Sequence, residues 1–276
     1  MVTASSGTSR FLGVPHIKEM VYENRLSYAH RHGYEHMWAN ISSYNLPDNV
    51  PVYWNKIPVL KEAFVRYPQA EWIWWLDIDI IIMNQSLSMW DHVLSPEGMA
   101  RNAVLDKPIR KPGGGLSGWL TPATYNYSEV NFLICSGGWG MNVGNFLMRR
   151  SQWSDWLLDL WIEPMYIKEG WTFPENDAWT HMYRHHPIVR QHTVCTNQRA
   201  LNAYPDYNSL GEHWQPGDHS IHFAGCGDSP ACPGHWDKYW KLKEEYEVPD
   251  FVKQGLADGT AAIENIQMGV ELPGMG

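Results

Sequence analysis

The chain has 276 residues, 44% of them hydrophobic and 18% charged, enough to bury the core of one large domain or two small ones. Thirty acidic residues against 21 basic ones give a formal charge of -9, which argues against a nucleic-acid surface. The same charge means that an anionic substrate needs a metal or a local basic patch to approach.

No apolar run reaches the roughly 18–20 residues that span a bilayer, and the N-terminus lacks a charged region followed by an apolar one. Sixteen Trp and fourteen Tyr exceed what a core requires and suit a cleft for sugars, whose C–H faces stack on rings.

In chain order, Met1-Val-Thr-Ala-Ser-Ser-Gly7 reads as the tail of a strand entering a Gly/Ser loop, its beginning missing, so that an upstream anchor would be invisible here. His16 to His32 carries Ile17, Val21 and Tyr28 on one side and stops at Gly33, a helix with a glycine C-cap. Glu35 to Ile41 reads as a short strand. Pro51 to Tyr67, with Ile57, Leu60, Phe64 and Val65 apolar and Pro68 following, reads as a helix laid on a sheet. Strands and helices in alternation after a Gly/Ser loop form the layout of a nucleotide-binding α/β half.

The next stretch, Glu71-Trp-Ile-Trp-Trp-Leu-Asp77-Ile-Asp79-Ile-Ile-Ile-Met83, is apolar enough for a strand buried on both faces, with two carboxylates at its centre. An unpaired buried carboxylate is costly, so the pair needs a reason. At spacing i, i+2 the two side chains leave one face of a strand, or converge where the strand ends in a turn. Either they grip one hard divalent cation or they meet Arg or Lys partners across the core. The run contains no basic residue, which favours the cation.

Asp91 to Val130, with Pro108, Pro112, Gly113, Gly114, Gly115 and Pro122, reads as a long irregular segment, a lid, an acceptor loop or a disordered insertion. Asn131 to Arg150 gives a strand, a glycine-rich turn and a second strand. Gly137, Gly138, Gly140 and Gly144 permit close approach of a ligand, and Asn142 offers a hydrogen bond to a sugar hydroxyl; a ligand-free hairpin explains the same residues. Ser151 to Ile162 places Trp153, Trp156, Leu157, Leu160 and Trp161 on a core-facing helical stripe.

Pro174 to Tyr183 starts another helix. Glu175 and Asp177 in its first turn either complement the helix dipole or point into a site. His222 lies in a short apolar strand, either as a core histidine or as a third ligand to a cation held by the Asp pair. Cys226 and Cys232 are spaced to close a small disulfide loop, while Cys135 and Cys195 pair or stay as buried thiols. Three Asn-x-Ser triplets, at Asn40, Asn84 and Asn126, permit glycosylation in a secretory lumen. After Pro249 the chain is weakly patterned.

Taken together, Trp74-Trp75-Leu76-Asp77-Ile78-Asp79 with Ile82-Met83-Asn84, Gly140-Met-Asn142-Val-Gly144, Glu175-Asn176-Asp177-Ala178, Asn202-Ala-Tyr204 and His222-Phe-Ala-Gly225-Cys226 resemble the fungal Golgi α-mannosyltransferase and α-galactosyltransferase family, glycosyltransferase family 34. The similarity runs from about Val2 to Tyr246 in order and spacing. It implies an α/β GT-A glycosyltransferase fold, a Rossmann-like nucleotide-sugar half fused to an acceptor-binding half. One catalytic domain would cover 1–248, with the nucleotide-sugar half at 1–90, the acceptor half at 91–248 including the loop 91–130, and a loosely structured tail at 249–276.

By the same resemblance Asp77, Asp79 and His222 bind Mn2+, and Asp79, Glu175 and Asn176 take part in the chemistry. Thr3, Ser5, Gly7, Asp77, Gly140, Asn142, Gly144, Asp177, Asn202 and Gly225 contact substrate. The implied reaction is transfer with retention of α-mannose from GDP-mannose to a mannose-containing glycan. The alternatives are UDP-galactose as donor, or a non-catalytic subunit in a complex with other mannosyltransferases. The implied place is the Golgi lumen, as a type II membrane protein whose anchor is absent from this chain. Two departures stand out: Ser136-Gly137-Gly138-Trp139 lacks the acids of many members, and Gly227 replaces a Lys of the plant enzymes, whose role would pass to Arg149, Lys238 or Lys241.

Overall fold

In the computed structural model, residues 1–5, 13–47, 49–111, 115–138, 140–209, 211–227 and 229–245 are described. Gly7 and the segment after Pro249 lie outside them. The strand at the N-terminus is β1 (Val2–Ser5). It is followed by α1 (Ile17–His32), which ends because Gly33 takes φ 68° and its N–H bonds back to the Ala29 carbonyl. One face of α1 buries Ile17, Val21, Arg25 and Tyr28. The chain continues through β2 (Met37–Asn40), α2 (Lys56–Arg66), β3 (Trp72–Leu76) and β4 (Ile80–Ile82). Val65 faces outward from α2, contrary to the expectation that it joins the buried stripe.

The apolar run 71–83 is two strands, not one. β3 lies in the central sheet, while β4 pairs antiparallel with a strand from far along the chain. Between them Asp77 to Asp79 form a turn, so the carboxylates converge by the second of the two routes open to an i, i+2 pair. The segment 91–130 also differs from its expectation. It holds a π-turn at Trp90–Leu94, α3 (Pro96–Asn102) and the hairpin β5 (Pro108–Arg110) with β6 (Leu116–Leu120). The Ser95 side chain caps α3 by accepting from the Gly98 N–H, and Pro96 occupies its first turn.

The glycine-rich hairpin is present as β7 (Phe132–Gly137) and β8 (Gly140–Arg149). Then come α4 (Gln152–Trp161), α5 (Pro164–Lys168), α6 (Pro174–His185), α7 (Pro187–Gln191), β9 (Thr193–Thr196), α8 (Gln198–Leu201), β10 (Ser220–His222) and α9 (Cys232–Trp240). On α4 the buried face is Ser154, Leu157, Leu158 and Trp161; Trp156 is exposed, so the stripe is rotated from the expected one. Cys226 and Cys232 form a disulfide, while Cys135 and Cys195 are buried thiols.

The central sheet has the order β2-β1-β3-β8-β7-β9. β1 is parallel to both β2 and β3, and β8 is antiparallel to β3 with Leu76 opposite Asn145. The carboxyl ends of β1 and β3 therefore share an edge with the first residues of β8, which is where ligands sit in such sheets. Behind that edge Phe132 stacks on Trp179 and on Phe146, with centroids 4.1 and 4.8 Å apart, and fixes α6 against β7 and β8.

Candidate active site

At the end of β3 the Asp77 N–H bonds to the Gly144 carbonyl at 2.8 Å, which ties the turn to β8. From below, Arg25 donates to the carbonyls of Asp77 and Ile80 at 3.3 and 2.6 Å. Its buried guanidinium thus holds both ends of the turn and places a cation behind the carboxylates. β10 brings His222 opposite Ile80, so that His222 Nε2 lies 3.2 Å from Asp79 Oδ1. One ligand atom from each of Asp77, Asp79 and His222 can be chosen so that all lie within 4.8 Å of one another.

The other His222 nitrogen, Nδ1, is 2.6 Å from Asn202 Oδ1. An amide oxygen there demands the N–H on Nδ1 and leaves the Nε2 lone pair for a ligand. Burial pushes the Asp79 carboxyl up, but a protonated His222 outweighs it by charge and hydrogen bond and holds the group below its usual range; a bound cation would take the place of that Nε2 proton. Gly144 provides the room. A Cβ at that position would collide with His222 Cε1 and come within 2.9 Å of Asn142 Oδ1 and 3.0 Å of Asp77 Oδ2. Two hard carboxylates and one imidazole around a space that a side chain would fill fit a divalent cation.

The opposite wall is the first turn of α6. Glu175, 3% exposed, has Oε1 3.4 Å from Lys56 Nζ and 3.2 Å from Asn176 Nδ2. Lys56 also lies 3.3 Å from Asp77 Oδ1 and donates to the Val143 carbonyl at 2.7 Å. One buried ammonium is thus shared by two carboxylates. Burial would lower its pKa, and Asp77 and Glu175 together raise it instead. Because that single charge is divided, burial still leaves the Glu175 carboxyl raised. The lysine reading of the acid pair is thus realised at Asp77 Oδ1, while Asp77 Oδ2 lies towards the space beside Gly144.

The two walls enclose a cleft of about 580 Å³. Asp77, Asp79, Gly140, Asn142, Gly144, Glu175, Asn176, Asp177, His222 and Gly225 all line it. Asn142 accepts from the Gly144 N–H at 2.8 Å and donates to the Tyr204 hydroxyl at 3.3 Å. The Asn176 amide oxygen accepts from the Val143 N–H at 2.8 Å. Asp177 accepts from the Phe173 N–H at 3.1 Å, so it caps α6 as well as bordering the cleft. Asn202 stands behind His222. Thr3 and Ser5 sit in β1, away from the cleft lining, Thr3 fully buried with its hydroxyl unpartnered.

Of the cations expected to replace the missing Lys, Arg149 is at the far end of β8, paired with Glu71 at 2.8 Å, and Lys238 and Lys241 pair with Asp206 and Asp237 at 2.6 Å. Sequence reasoning missed Lys56 and Arg25. Neither carries a local signal: one opens a helix and the other sits midway along one, positions that ordinarily face solvent.

The chain matches the galactosyl transferase GMA12/MNN10 family over residues 1–233. An alpha-1,2-galactosyltransferase of Schizosaccharomyces pombe is 34% identical over 85% of this chain and 63% of its own length. A probable alpha-1,6-mannosyltransferase of Saccharomyces cerevisiae is 29% identical over 83% of this chain and 60% of its own. The chain thus spans less than two thirds of these relatives. Among solved structures, a glycosyltransferase involved in the glycosylation of the major capsid of PBCV-1 aligns with a TM-score of 0.56 at 12% identity, covering 87% of this chain and 97% of that one. The fold is the GT-A glycosyltransferase fold expected from the sequence.

Proposed function

The chain belongs to the galactosyl transferase GMA12/MNN10 family, and on that premise we propose that it is a metal-dependent retaining hexosyltransferase that moves a hexose from a nucleoside diphosphate to a glycan. The observation that carries this reading is the donor set of Asp77, Asp79 and His222 on the wall of the cleft, facing Glu175 and Asn176. Mn2+ is the cation we assign, held by these three side chains. When bound, it supplies Lewis-acid neutralisation of the diphosphate as the sugar departs.

The protein's own groups do the rest. Arg25 and Asn202 keep the ligand atoms in place, and the bare backbone at Gly144 and Gly140 lets a substrate approach. Glu175 holds position against Lys56 and Asn176 and is itself buried, so we assign it to orienting the reacting sugar. Retention then proceeds by front-face attack, with the departing phosphate taking the acceptor proton.

For the donor, the galactosyltransferase relative is 34% identical and the mannosyltransferase relative 29%, which supports UDP-galactose over the GDP-mannose expected from the sequence. The acceptor in this reading is a mannose-containing glycan. The disulfide between Cys226 and Cys232 supports an oxidising lumen such as the Golgi. Among the described residues no helix is long and apolar enough to cross a membrane.

The test is calorimetric titration of UDP-galactose and of GDP-mannose with Mn2+ and with EDTA, on the unsubstituted protein and on Asp79→Ala. Binding of one donor that requires Mn2+ and disappears in the variant is expected. If neither donor binds, the enzyme reading fails and a non-catalytic subunit of a mannan-synthesising complex takes its place.

A further inference from the structure

Beyond the cleft, ring side chains continue along the outer face of α6. Phe173, 40% exposed, stands at the N-terminus of that helix, and Tyr53, 59% exposed, lines the same cleft. Trp171 precedes Phe173 by two residues and is braced by stacking on buried Tyr166 at 5.9 Å. From Trp171 the rings pass to His181 at 5.7 Å, from His181 to His185 at 4.5 Å, and from His185 to Trp119 on the β5–β6 hairpin at 5.8 Å. His181 and His185 share a helix face because they are four residues apart.

The series has a direction. The N-terminus of α6 lines the cleft, so residues 173 to 185 lead away from it by about 18 Å at 1.5 Å per residue. The hairpin joins the same path, since a Cβ on cleft-lining Gly140 would sit 3.7 Å from the Lys111 carbonyl and 3.9 Å from the Thr180 hydroxyl. Trp119, 37% exposed, marks the far end. Single exposed aromatics need no explanation, but a connected series that begins two residues from a cleft-lining ring does.

Resting on the glycosyltransferase reading, we infer that this surface is an extended subsite for a neutral oligosaccharide acceptor. Its terminal sugar sits between Tyr53 and Phe173, and the following sugars run over Trp171, His181 and His185 to Trp119. Rings present apolar faces to sugar C–H groups, and rings held by neighbours lose little freedom on binding. The cation at the Trp119 end is already engaged: Arg190 donates to the Tyr183 and Arg184 carbonyls at 2.9 Å while its guanidinium lies over Trp119 at 5.1 Å. A neutral chain therefore suits the surface better than an anionic one.

The experiment measures kcat/KM for transfer to methyl α-mannoside and to a linear α-mannopentaose, together with hydrolysis of the donor alone. The unsubstituted protein is expected to prefer the pentasaccharide. Trp119→Ala should lose about tenfold on the pentasaccharide only, with methyl α-mannoside and donor hydrolysis unchanged, and Trp119→Phe should regain most of the loss. Trp156→Ala, an exposed tryptophan on α4, should change nothing. Indifference to chain length, or an equal loss on both acceptors, overturns the subsite and leaves the hexosyltransferase reading standing. Failure of the unsubstituted protein both to hydrolyse donor and to transfer overturns that reading and the subsite with it.

Discussion

The two acidic walls of the cleft both present carboxylates and are closed differently. At Asp77, Asp79 and His222 the protein's contacts come mostly from behind: Arg25 holds the backbone of the turn and Asn202 holds the far nitrogen of the imidazole. Asp77 Oδ2 and the Nε2 edge of His222 are left towards the space beside Gly144. At Glu175 a buried cation and a neighbouring amide, Lys56 and Asn176, both engage the side chain at Oε1. Lone pairs kept available point to a ligand; lone pairs already used point to positioning. The more strongly bonded wall is thus expected to matter more to folding, and the looser wall to the proposed chemistry.

Asp79→Ala tests the first half of that contrast. Removing one of three ligands should lower transfer by about 10³-fold. Unfolding by urea should move little, because the cost of burying the carboxylate offsets most of what it gains from His222. A variant that unfolds much more easily yet still turns over would reverse the assignment.

Lys56→Met tests the second half. It leaves the Glu175 carboxylate buried beside Asp77 without its cation, a change worth about 3 kcal/mol of stability, or somewhat over a hundredfold in the folding equilibrium. The loss should depend on pH. Burial already raises Glu175 in the folded protein, and removing Lys56 lets burial act unopposed. The folded variant then holds a proton that the unfolded chain has released, so its stability falls as pH rises. The gap to the unsubstituted protein should widen between about pH 5 and about pH 8 in urea melts. A gap that is constant or narrows across that range would show that Lys56 does not stabilise Glu175 as an ion.

Gly144→Ala addresses the space between the walls. The added methyl meets His222 and approaches Asp77 Oδ2, so Mn2+ affinity should fall by about 10–100-fold, and the overpacking should also cost about 1–3 kcal/mol of stability. Unchanged Mn2+ binding in a calorimetric titration would mean that the cation sits elsewhere.

The sequence made the looser wall readable and the tighter one not. Asp77 and Asp79 stood out because acids interrupt an apolar run, and His222 because it ends a short apolar strand. The division of that run between two sheets was hidden, since β3 and β4 are equally apolar and hydrophobicity alone does not say which strand pairs with which. Lys56 and Arg25 gain their meaning only from elements brought together across 21 or more residues of chain. In 91–130 the glycines and prolines masked α3, although Ser95 followed by Pro96 is a helix start that was present to be read.

Asn202 gives the smallest effect and the sharpest distinction. Its family position suggests a substrate contact, whereas the structure puts it behind His222, outside the cleft lining. An orienting residue changes metal affinity first and donor affinity only through the metal. Asn202→Ala should therefore weaken Mn2+ by about tenfold, and donor binding at saturating Mn2+ should recover. Asn202→Asp still offers an oxygen to His222 Nδ1 and should bind Mn2+ at least as well as the unsubstituted protein, because an anionic acceptor makes the imidazole a better donor. If Asn202→Ala instead binds Mn2+ normally and loses the donor, the residue touches substrate after all, and the wall with available lone pairs extends one residue deeper than its geometry indicates.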